Sequence, residues 1–410
     1  MGRHPSRRHV SPEDAPIGPR IRQRRRELEL TQADLAAPDY TKSFISQLEA
    51  GFADPSLDTL RFLSRRLHMS LSSVAGDNPD QRLAGMEGLL RWARDAAGDG
   101  DETLARRVLG VASDMASAAG WDEHRAEAAL ALAEIEIRSG AFDRADARIE
   151  EAAALASSVG PRMHIRKELT AGLLMLRRDD TRAAAAAFQK ALGLSRKSSR
   201  HPDLTVRALF GIAATAVQAG DFRQARRRLQ SAATLTERLQ LDTLHADARF
   251  RLGIVLGLDG AYVDAVDHLQ AAAHLFAQTG NGKKRLRALL TLGGAALAAG
   301  NKVLALRAAD EAASMPDASA IAAAPRIAAL RGRALLAQDR QGEAPAILAD
   351  AVAQMAGMGT HADLAEAAKA LGEYHQARAE HDLAARYLAL AADAAKAARE
   401  DTRNPALLDG

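Results

Sequence analysis

The chain has 410 residues, no cysteine, and a net charge of +3 from 55 Lys and Arg against 52 Asp and Glu. That length is more than one compact core supports, so several domains or a repeat array are expected, and disulfides and thiolate metal sites are excluded. Aromatic residues make up only 4% of the chain, and alanine dominates after position 100, which predicts an all-α fold.

Positive charge is concentrated at the N-terminus. Residues 1–30 contain eight arginines and four acidic residues, which points to a polyanionic partner. Residues 1–16 lack the apolar stretch of a signal peptide and read as a disordered basic arm, either a solvated tail or an arm that enters a minor groove of DNA. Since no run of 18 uncharged apolar residues occurs either, we expect a cytoplasmic protein with no membrane partner.

Residues 17–75 carry the pattern of a small helical domain. Ile21 and Leu28 predict an amphipathic first helix, and Thr31 with Asp34 predicts a capped second helix from Gln32 to about Ala36. Pro38 breaks this helix. A third helix is predicted from Lys42 to Glu49, capped by Thr41 and ended by Gly51. A fourth helix starts after Asp54-Pro55 and ends near His68. A short final turn starts at Ser70.

In this order, the segments LTQADLA, TKSFISQLEAG and DPSLDTLRFLSRRLHMSL resemble the Cro/cI-type (XRE) helix-turn-helix family across residues 17–75. The resemblance implies a five-helix, lambda-repressor-like DNA-binding domain whose second paired helix enters the major groove of double-stranded DNA. One departure is the stretch 37–40 (APDY), which is one residue shorter than the family's turn and lacks its glycine. Helix two is therefore expected to end early, or the recognition helix to be tilted.

The same resemblance places the DNA-contacting residues. Lys42, Ser43 and Gln47 fall on base-reading positions, and Gln32 falls on a phosphate-contacting position; chemically, glutamine pairs with adenine and lysine donates to guanine. The first-helix arginines are either phosphate contacts or a solvated helix face. The predicted contact set is Arg20, Arg24, Arg25, Gln32, Thr41, Lys42, Ser43, Phe44, Ser46 and Gln47. The alternative is a helical bundle that keeps the fold without binding DNA.

An internal period of 39–41 residues runs through the rest of the chain. Alanines recur at 105, 145, 184, 225, 265, 305, 344 and 384, and again seven residues after each. Glycine or alanine stands twelve residues before each member of the first series, and glycine, aspartate or alanine occupies a turn between them. This spacing predicts eight helix pairs in which small residues allow close contact.

Segments such as LAEIEIRSGAFDRADARIEEAA resemble the tetratricopeptide repeat, with longer helices than its usual period. The resemblance covers 85–398, leaving 76–84 as a linker and 399–410 as a tail, and implies a right-handed α-solenoid of about eight helix pairs with a concave face. Register places an apolar and basic lining on that face: Arg166, Leu169, Leu173, Arg177, Arg207, Phe210, Phe250, Ile254, Arg287, Arg326 and Arg333.

Such a lining suits a partly apolar, anionic ligand such as a peptide with a free carboxylate. The alternative is that each arginine lies over alanine-rich helices or pairs with an acid of the next repeat. No HExxH pair, nucleophile elbow or dinucleotide motif occurs. We therefore expect no enzyme activity, no cofactor and no metal.

The combination of reader and array resembles the peptide-sensing regulators of the Rgg/PlcR class. This resemblance implies a sequence-specific transcription regulator. It also implies a homodimer whose array senses a peptide or protein ligand. The alternative function is a scaffold whose array binds a protein partner while the DNA-binding head is secondary or independent of ligand.

Overall fold

The computed structural model of the chain describes residues 17–50, 57–69, 79–98, 100–155, 158–198, 200–316, 323–340 and 342–402. Within these ranges all regular structure is helical and forms 20 helices, which confirms the all-α prediction. None of these helices is long and apolar enough to cross a membrane. The basic arm, the turn at Ser70 and the Gly51 and Asp54-Pro55 signals lie outside the described residues.

The described part of the N-terminal head contains α1 (Ile17–Glu27), α2 (Gln32–Ala36), α3 (Lys42–Glu49) and α4 (Leu57–Arg66). One side of each helix contributes to a common core, made of Ile21, Leu35, Ile45, Leu48, Leu63 and Leu67. The predicted capping box at the start of α2 is present: Thr31 Oγ1 accepts from the Asp34 amide, and the Asp34 carboxylate accepts from the Thr31 amide. Local capping and the apolar spacing together fix these helices.

Sixteen helices follow as eight consecutive pairs, α5 to α20, as the period predicts. Their bounds are Pro79–Gly98, Glu102–Ala119, Asp122–Arg138, Phe142–Ala154, Pro161–Arg177, Thr181–Ser198, Pro202–Gln218, Phe222–Arg238, Asp242–Leu258, Tyr262–Gln278, Gly282–Ala298, Lys302–Ala313, Ala324–Ala337, Ala344–Met355, His361–Ala377 and His381–Thr402. Helix α5 thus starts within the segment assigned to a linker, where Pro79 suits a first helical turn.

The small residues of the repeat explain how the pairs pack. The alanines of the first series are all buried, at most 4% exposed. On the first helices α9, α11, α13, α15, α17 and α19, a glycine accommodates a large side chain: a Cβ at Gly211 would lie 2.3 Å from the Phe188 ring, and one at Gly253 would lie 2.6 Å from Leu269 Cγ. Small residues therefore let each first helix approach its neighbours closely.

The turn between the two helices of a pair needs a left-handed residue. Gly100, Gly140, Gly220, Gly260 and Gly300 have φ between 74° and 86°, and Asp179, Asp339 and Ala379 take the same conformation with φ between 58° and 65°. All eight predicted turn positions thus adopt positive φ, a conformation that glycine takes without steric cost.

The chain divides into two compact units. The first comprises residues 1–139 with 150–159 and contains the head. The second comprises residues 140–149 with 160–410 and contains the remaining repeats, whose buried residues form one continuous core from α9 into α17 and a second one over α17 to α20.

Candidate DNA-binding and ligand-binding sites

Helix α3 presents a polar side to solvent. Thr41 caps it, with Oγ1 accepting from the Phe44 amide at 3.2 Å, and Ile45 and Leu48 are buried in the head core. The exposed side chains along the rest of the helix are Lys42, Ser43, Ser46 and Gln47. These four predicted base-reading or flanking residues therefore share the surface that a groove-reading helix needs.

Phe44 has a structural role in addition to its predicted one. Its ring is half-buried and stacks on Tyr40, with ring centroids 5.1 Å apart. Tyr40 in turn meets Phe62 edge to face at 5.0 Å, and its hydroxyl accepts from Thr59 Oγ1 at 3.2 Å. The shortened turn 37–40 contains a cis Ala37-Pro38 peptide bond, and α2 ends at Ala36, as predicted.

A buried ionic network joins α1, α2 and α3. The Arg25 guanidinium donates to both Glu49 oxygens, from Nε at 2.6 Å and from Nη2 at 3.0 Å, and Gln32 Nε2 donates to Glu49 Oε2 at 2.8 Å. Arg25 also donates to the Leu30 carbonyl at 2.7 Å. Burial opposes the charge of Glu49, but the hydrogen bonds from Arg25 and Gln32 outweigh it and hold the pKa of Glu49 below its usual value.

This network bears on the two alternatives for Arg25. The residue is only 9% exposed and pairs with an internal carboxylate, so its guanidinium is not part of a solvated face. A phosphate contact by Arg25 would require this buried pair to open. Gln32 is half-buried, and the Nε2 group expected to reach a phosphate is engaged with Glu49. For Gln32 Nε2 to contact a phosphate, its hydrogen bond to Glu49 must be shared with the phosphate or exchanged for it.

Arg24 and Arg22, two other arginines of α1, differ from Arg25. Arg24 Nε donates to the Leu67 carbonyl at 3.1 Å and Nη1 donates to Glu27 at 2.9 Å, so this side chain ties α1 to the end of α4. Arg22 is exposed. Arg20 lies on α1, but its side chain is outside the described part of the structure.

The sequence also indicates that Glu49 is buried, although the helical patterns considered above did not single it out. Ile45, Leu48 and Glu49 lie three and four residues apart, so they share the buried side of α3. A carboxylate on an apolar stripe requires a buried partner, because an isolated charge is too costly to bury. The excess of arginines on α1 supplies that partner.

Two of the predicted groove residues are aromatic core residues covered by arginines. Phe210 and Phe250 are only 6% and 7% exposed. The Arg251 guanidinium lies 4.7 Å from the Phe210 ring centre, and the Arg287 guanidinium lies 5.2 Å from that of Phe250. These cation–π contacts connect α11 with α13 and α13 with α15.

Two other predicted groove arginines form ion pairs between repeats. Arg326 on α17 pairs with Asp363 on α19, and Arg333 Nη2 lies 2.9 Å from Glu366 Oε2. Burial lowers the pKa of Arg333, partly offset by Glu366 and Asp363. Here the structure shows the alternative that the sequence left open, pairing with an acid of the next repeat.

The remaining groove candidates are accessible to different degrees. Arg207 is exposed, whereas the half-buried ones are Arg166, Leu169, Leu173, Arg177 and Ile254. Within the described ranges, no group of three or more His, Asp or Glu side chains is arranged to hold a metal ion.

Comparison with known families identifies the head. A helix-turn-helix family model matches residues 21–74, which confirms the predicted helix-turn-helix domain. A comparison with curated protein sequences finds no match to the chain.

Comparison with solved structures finds proteins with a similar helical-repeat fold. The crystal structure of aspartyl phosphate phosphatase F from Bacillus subtilis shares 12% identity and a TM-score of 0.55, over 92% of this chain and 93% of that one. The Rap conjugation gene regulator of plasmid pLS20, in complex with the Phr* peptide, shares 14% identity and a TM-score of 0.50, over 94% and 97%. Bacillus thuringiensis PlcR, in complex with the peptide PapR7 and DNA, is less similar, with 12% identity and a TM-score of 0.39 over 73% and 93%. The phosphatase and the Rap regulator thus share the fold of this helical-repeat protein.

Proposed function

We propose that the chain is a sequence-specific DNA-binding transcription regulator whose repeat array binds a peptide or protein ligand. The observation that carries the proposal is the head, where residues 21–74 match the helix-turn-helix family and α3 exposes Lys42, Ser43, Ser46 and Gln47. Polar side chains on a capped, well-packed helix are the requirement for reading base edges in the major groove.

The contacts divide into base readers and backbone contacts. Gln47 and Lys42 are proposed to read bases, since their side chains are long, exposed and able to donate to purine acceptors. The Thr41 hydroxyl, Arg20 and Arg24 are proposed to position the head on phosphates. Because Arg24 also supports α4 through the Leu67 carbonyl, its removal affects stability as well as affinity.

The array is proposed to bind the effector. Its fold is shared with a Rap regulator that is in complex with a peptide, which supports a peptide as the ligand class. In this chain, Arg207 and the partly exposed residues of α9 and α13 offer cationic and apolar contacts to such a ligand. We further propose that two chains associate, so that two heads read half-sites one helical turn apart.

Selection of bound duplexes from a random DNA pool tests the reader. The full chain is expected to enrich a motif with two half-sites, and the Lys42→Ala, Gln47→Ala double variant is expected to lose the enrichment while keeping its circular-dichroism spectrum. Enrichment of the same motif by the variant would reject the assigned readers. Binding with no sequence preference would favour the alternative function, a scaffold with a secondary head.

Thermal unfolding in the presence of a peptide library tests the sensor. A ligand at a hundred times its dissociation constant adds about 2.7 kcal/mol to the stability of the unit that binds it. A peptide that raises the unfolding temperature of the wild type, and not that of an Arg207→Ala variant, would support the groove assignment. A peptide that affects both equally would place its site elsewhere.

A further inference from the structure

Two neighbouring second helices of the array are much more basic than the others. Helix α10 contains four basic residues and no acidic one, and α12 contains five arginines and one glutamate, so each has a net charge of +4. The second helices α6, α8, α14, α16, α18 and α20 have net charges between 0 and −2. The charge of α10 and α12 therefore departs from the repeat pattern.

The two basic helices are neighbours in the second unit. Both helices pack against α11, and Arg182 and Arg223 occupy the same position of successive repeats. We define the basic face by Arg182 and Lys197 on α10 and Arg223, Arg227 and Arg228 on α12. Four of these side chains are exposed and Arg228 is half-exposed.

The charges of the basic face lack ion-pair partners within the described ranges. None of its five side chains forms an ion pair in the part of the chain that the structure describes. The nearest turns contain aspartates that serve as helix caps: Asp180 accepts from the Ala183 amide at 2.9 Å and Asp221 from the Gln224 amide at 2.8 Å. Other cations of α10 and α12 do have partners, since Lys190 pairs with Glu168 and Arg226 approaches Asp259 at 3.8 Å.

The composition of this surface favours a polyphosphate over a protein. Protein interfaces depend on apolar and aromatic anchors at their centre, and the exposed large apolar residues of the described chain include none on α10 or within α12. Between Arg182 and Lys190 the helix exposes mainly alanine, which allows a nucleic-acid backbone to approach closely. Exposed arginines and lysines that form no ion pair are available to bind backbone phosphates.

We propose that the basic face of α10 and α12 binds the sugar-phosphate backbone of duplex DNA, independently of sequence and in addition to the head. Duplex DNA is the occupant because the head of the same chain is proposed to bind it, which raises the local concentration of duplex around the array. This choice of occupant rests on the proposed function. The surface adds affinity and salt dependence and adds no base preference.

The salt dependence of binding tests this inference directly. The logarithm of affinity for duplex DNA falls with the logarithm of salt by about 0.9 per phosphate contact. The full-length variant Arg182→Gln, Arg223→Gln, Arg227→Gln is therefore expected to reduce this slope by about 2 to 3, measured by fluorescence anisotropy on a random-sequence duplex between about 50 and 200 mM salt. Glutamine retains helix propensity, so the fold should persist.

A matched control removes the same charge elsewhere. Lys302→Gln, Arg307→Gln, Arg386→Gln changes three exposed basic residues on the second helices α16 and α20 and is expected to leave the slope within about 0.5 of wild type. An unchanged slope in the test triple, an equal loss in both triples, or no duplex binding by the wild type at low salt would each overturn the inference.

A third variant separates this inference from the proposed function. Lys42→Ala, Gln47→Ala is expected to lose motif selection, and the difference in slope between the two array triples should persist in that background. If motif selection fails for the wild type but the slope difference is present, the proposed function fails and the basic face remains. If the test triple changes only the sedimentation behaviour of the chain, the face binds a second copy and the inference is rejected.

Discussion

The head and the array obtain their stability in different ways. The head depends on interactions that occur once, above all the buried Arg25, Glu49 and Gln32 network. The array depends on the same small residues repeated in every pair, with each alanine of the series buried. A single substitution should therefore be felt throughout the head, whereas in the array its effect should stay close to the repeat that carries it.

The largest expected effect comes from breaking the head network. Glu49→Ala leaves the Arg25 guanidinium buried without its carboxylate, where the two side chains are 10% and 3% exposed. Loss of one partner of a buried pair costs about 3–5 kcal/mol. Hydrogen exchange in the full chain should then show α1 to α4 losing protection while α9 to α16 keep theirs.

A double variant distinguishes the loss of charge balance from the loss of packing. Arg25→Leu combined with Glu49→Leu removes both charges and is expected to cost less than Glu49→Ala alone, because no uncompensated ion remains. An equal or larger loss in the double variant would show that packing, and not the ion pair, dominates this part of the head.

Glycine substitutions compare how the two regions respond to overpacking. A Cβ at Gly18 would lie 2.5 Å from the Leu48 carbonyl oxygen and 2.7 Å from that of Glu49, both backbone atoms of α3. A Cβ at Gly253 would meet Leu269 Cγ at 2.6 Å, a side chain that can move. Overpacking costs about 1–3 kcal/mol, and Gly18→Ala should lie at the upper end and Gly253→Ala at the lower.

Helix α13 provides the matched control for the array variant. A Cβ at Gly257 meets nothing within 4 Å, so Gly257→Ala is expected to stabilise by about 0.5–1 kcal/mol through helix propensity. Urea unfolding of both α13 variants measures the contrast. If Gly253→Ala is as favourable as Gly257→Ala, the close helix contact is not required at that repeat.

The acid sensitivity of the head should depend on Glu49. The folded pKa of Glu49 lies below its usual value of 4.5, so its stabilisation is present above that value and is lost as the pH falls through the folded pKa. One such group changes stability by at most about 1.4 kcal/mol per pH unit. Glu49→Gln should remove this component of acid sensitivity from the head.

The array also contains a carboxylate whose pKa is lowered, Glu168, and therefore serves as the internal reference. Burial opposes ionisation of Glu168, but Lys190 and Lys167 lower its pKa. Helices α9 and α10 should therefore remain acid-sensitive in the Glu49→Gln variant. Hydrogen exchange corrected for intrinsic rates measures this sensitivity. Loss of acid sensitivity in both regions would mean that they unfold together.

The smallest expected effect concerns one turn of the array. Ala379 holds a φ of 58° where the equivalent residue of five other repeats is glycine. Ala379→Gly is expected to stabilise the last pair by about 0.5–1 kcal/mol, and Gly260→Ala to destabilise its own pair by about 1 kcal/mol. Thermal unfolding of the two variants should move in opposite directions; a fall in both would show that the alanine side chain contributes packing.

Local sequence patterns predicted the elements and the repeat well. Thr31 with Asp34 and Thr41 marked helix starts, and the spacing of small residues predicted eight helix pairs that the structure confirms. They did not predict the partners of charged side chains. Arg25 looked like one more arginine on a basic helix, because its carboxylate partner lies 24 residues away on α3.

By itself, then, the sequence determined the all-α fold, the caps and turns of many helices, the repeat period and which positions are small, because caps, turn conformations and the helical period act over a few residues. Only the tertiary structure decided that Arg25 is internal, that Arg326 and Arg333 pair with α19, and that Phe210 and Phe250 lie beneath arginines. These outcomes depend on distances between residues far apart in the chain, and a buried charge or ring takes the partner that the packing of helices brings to it.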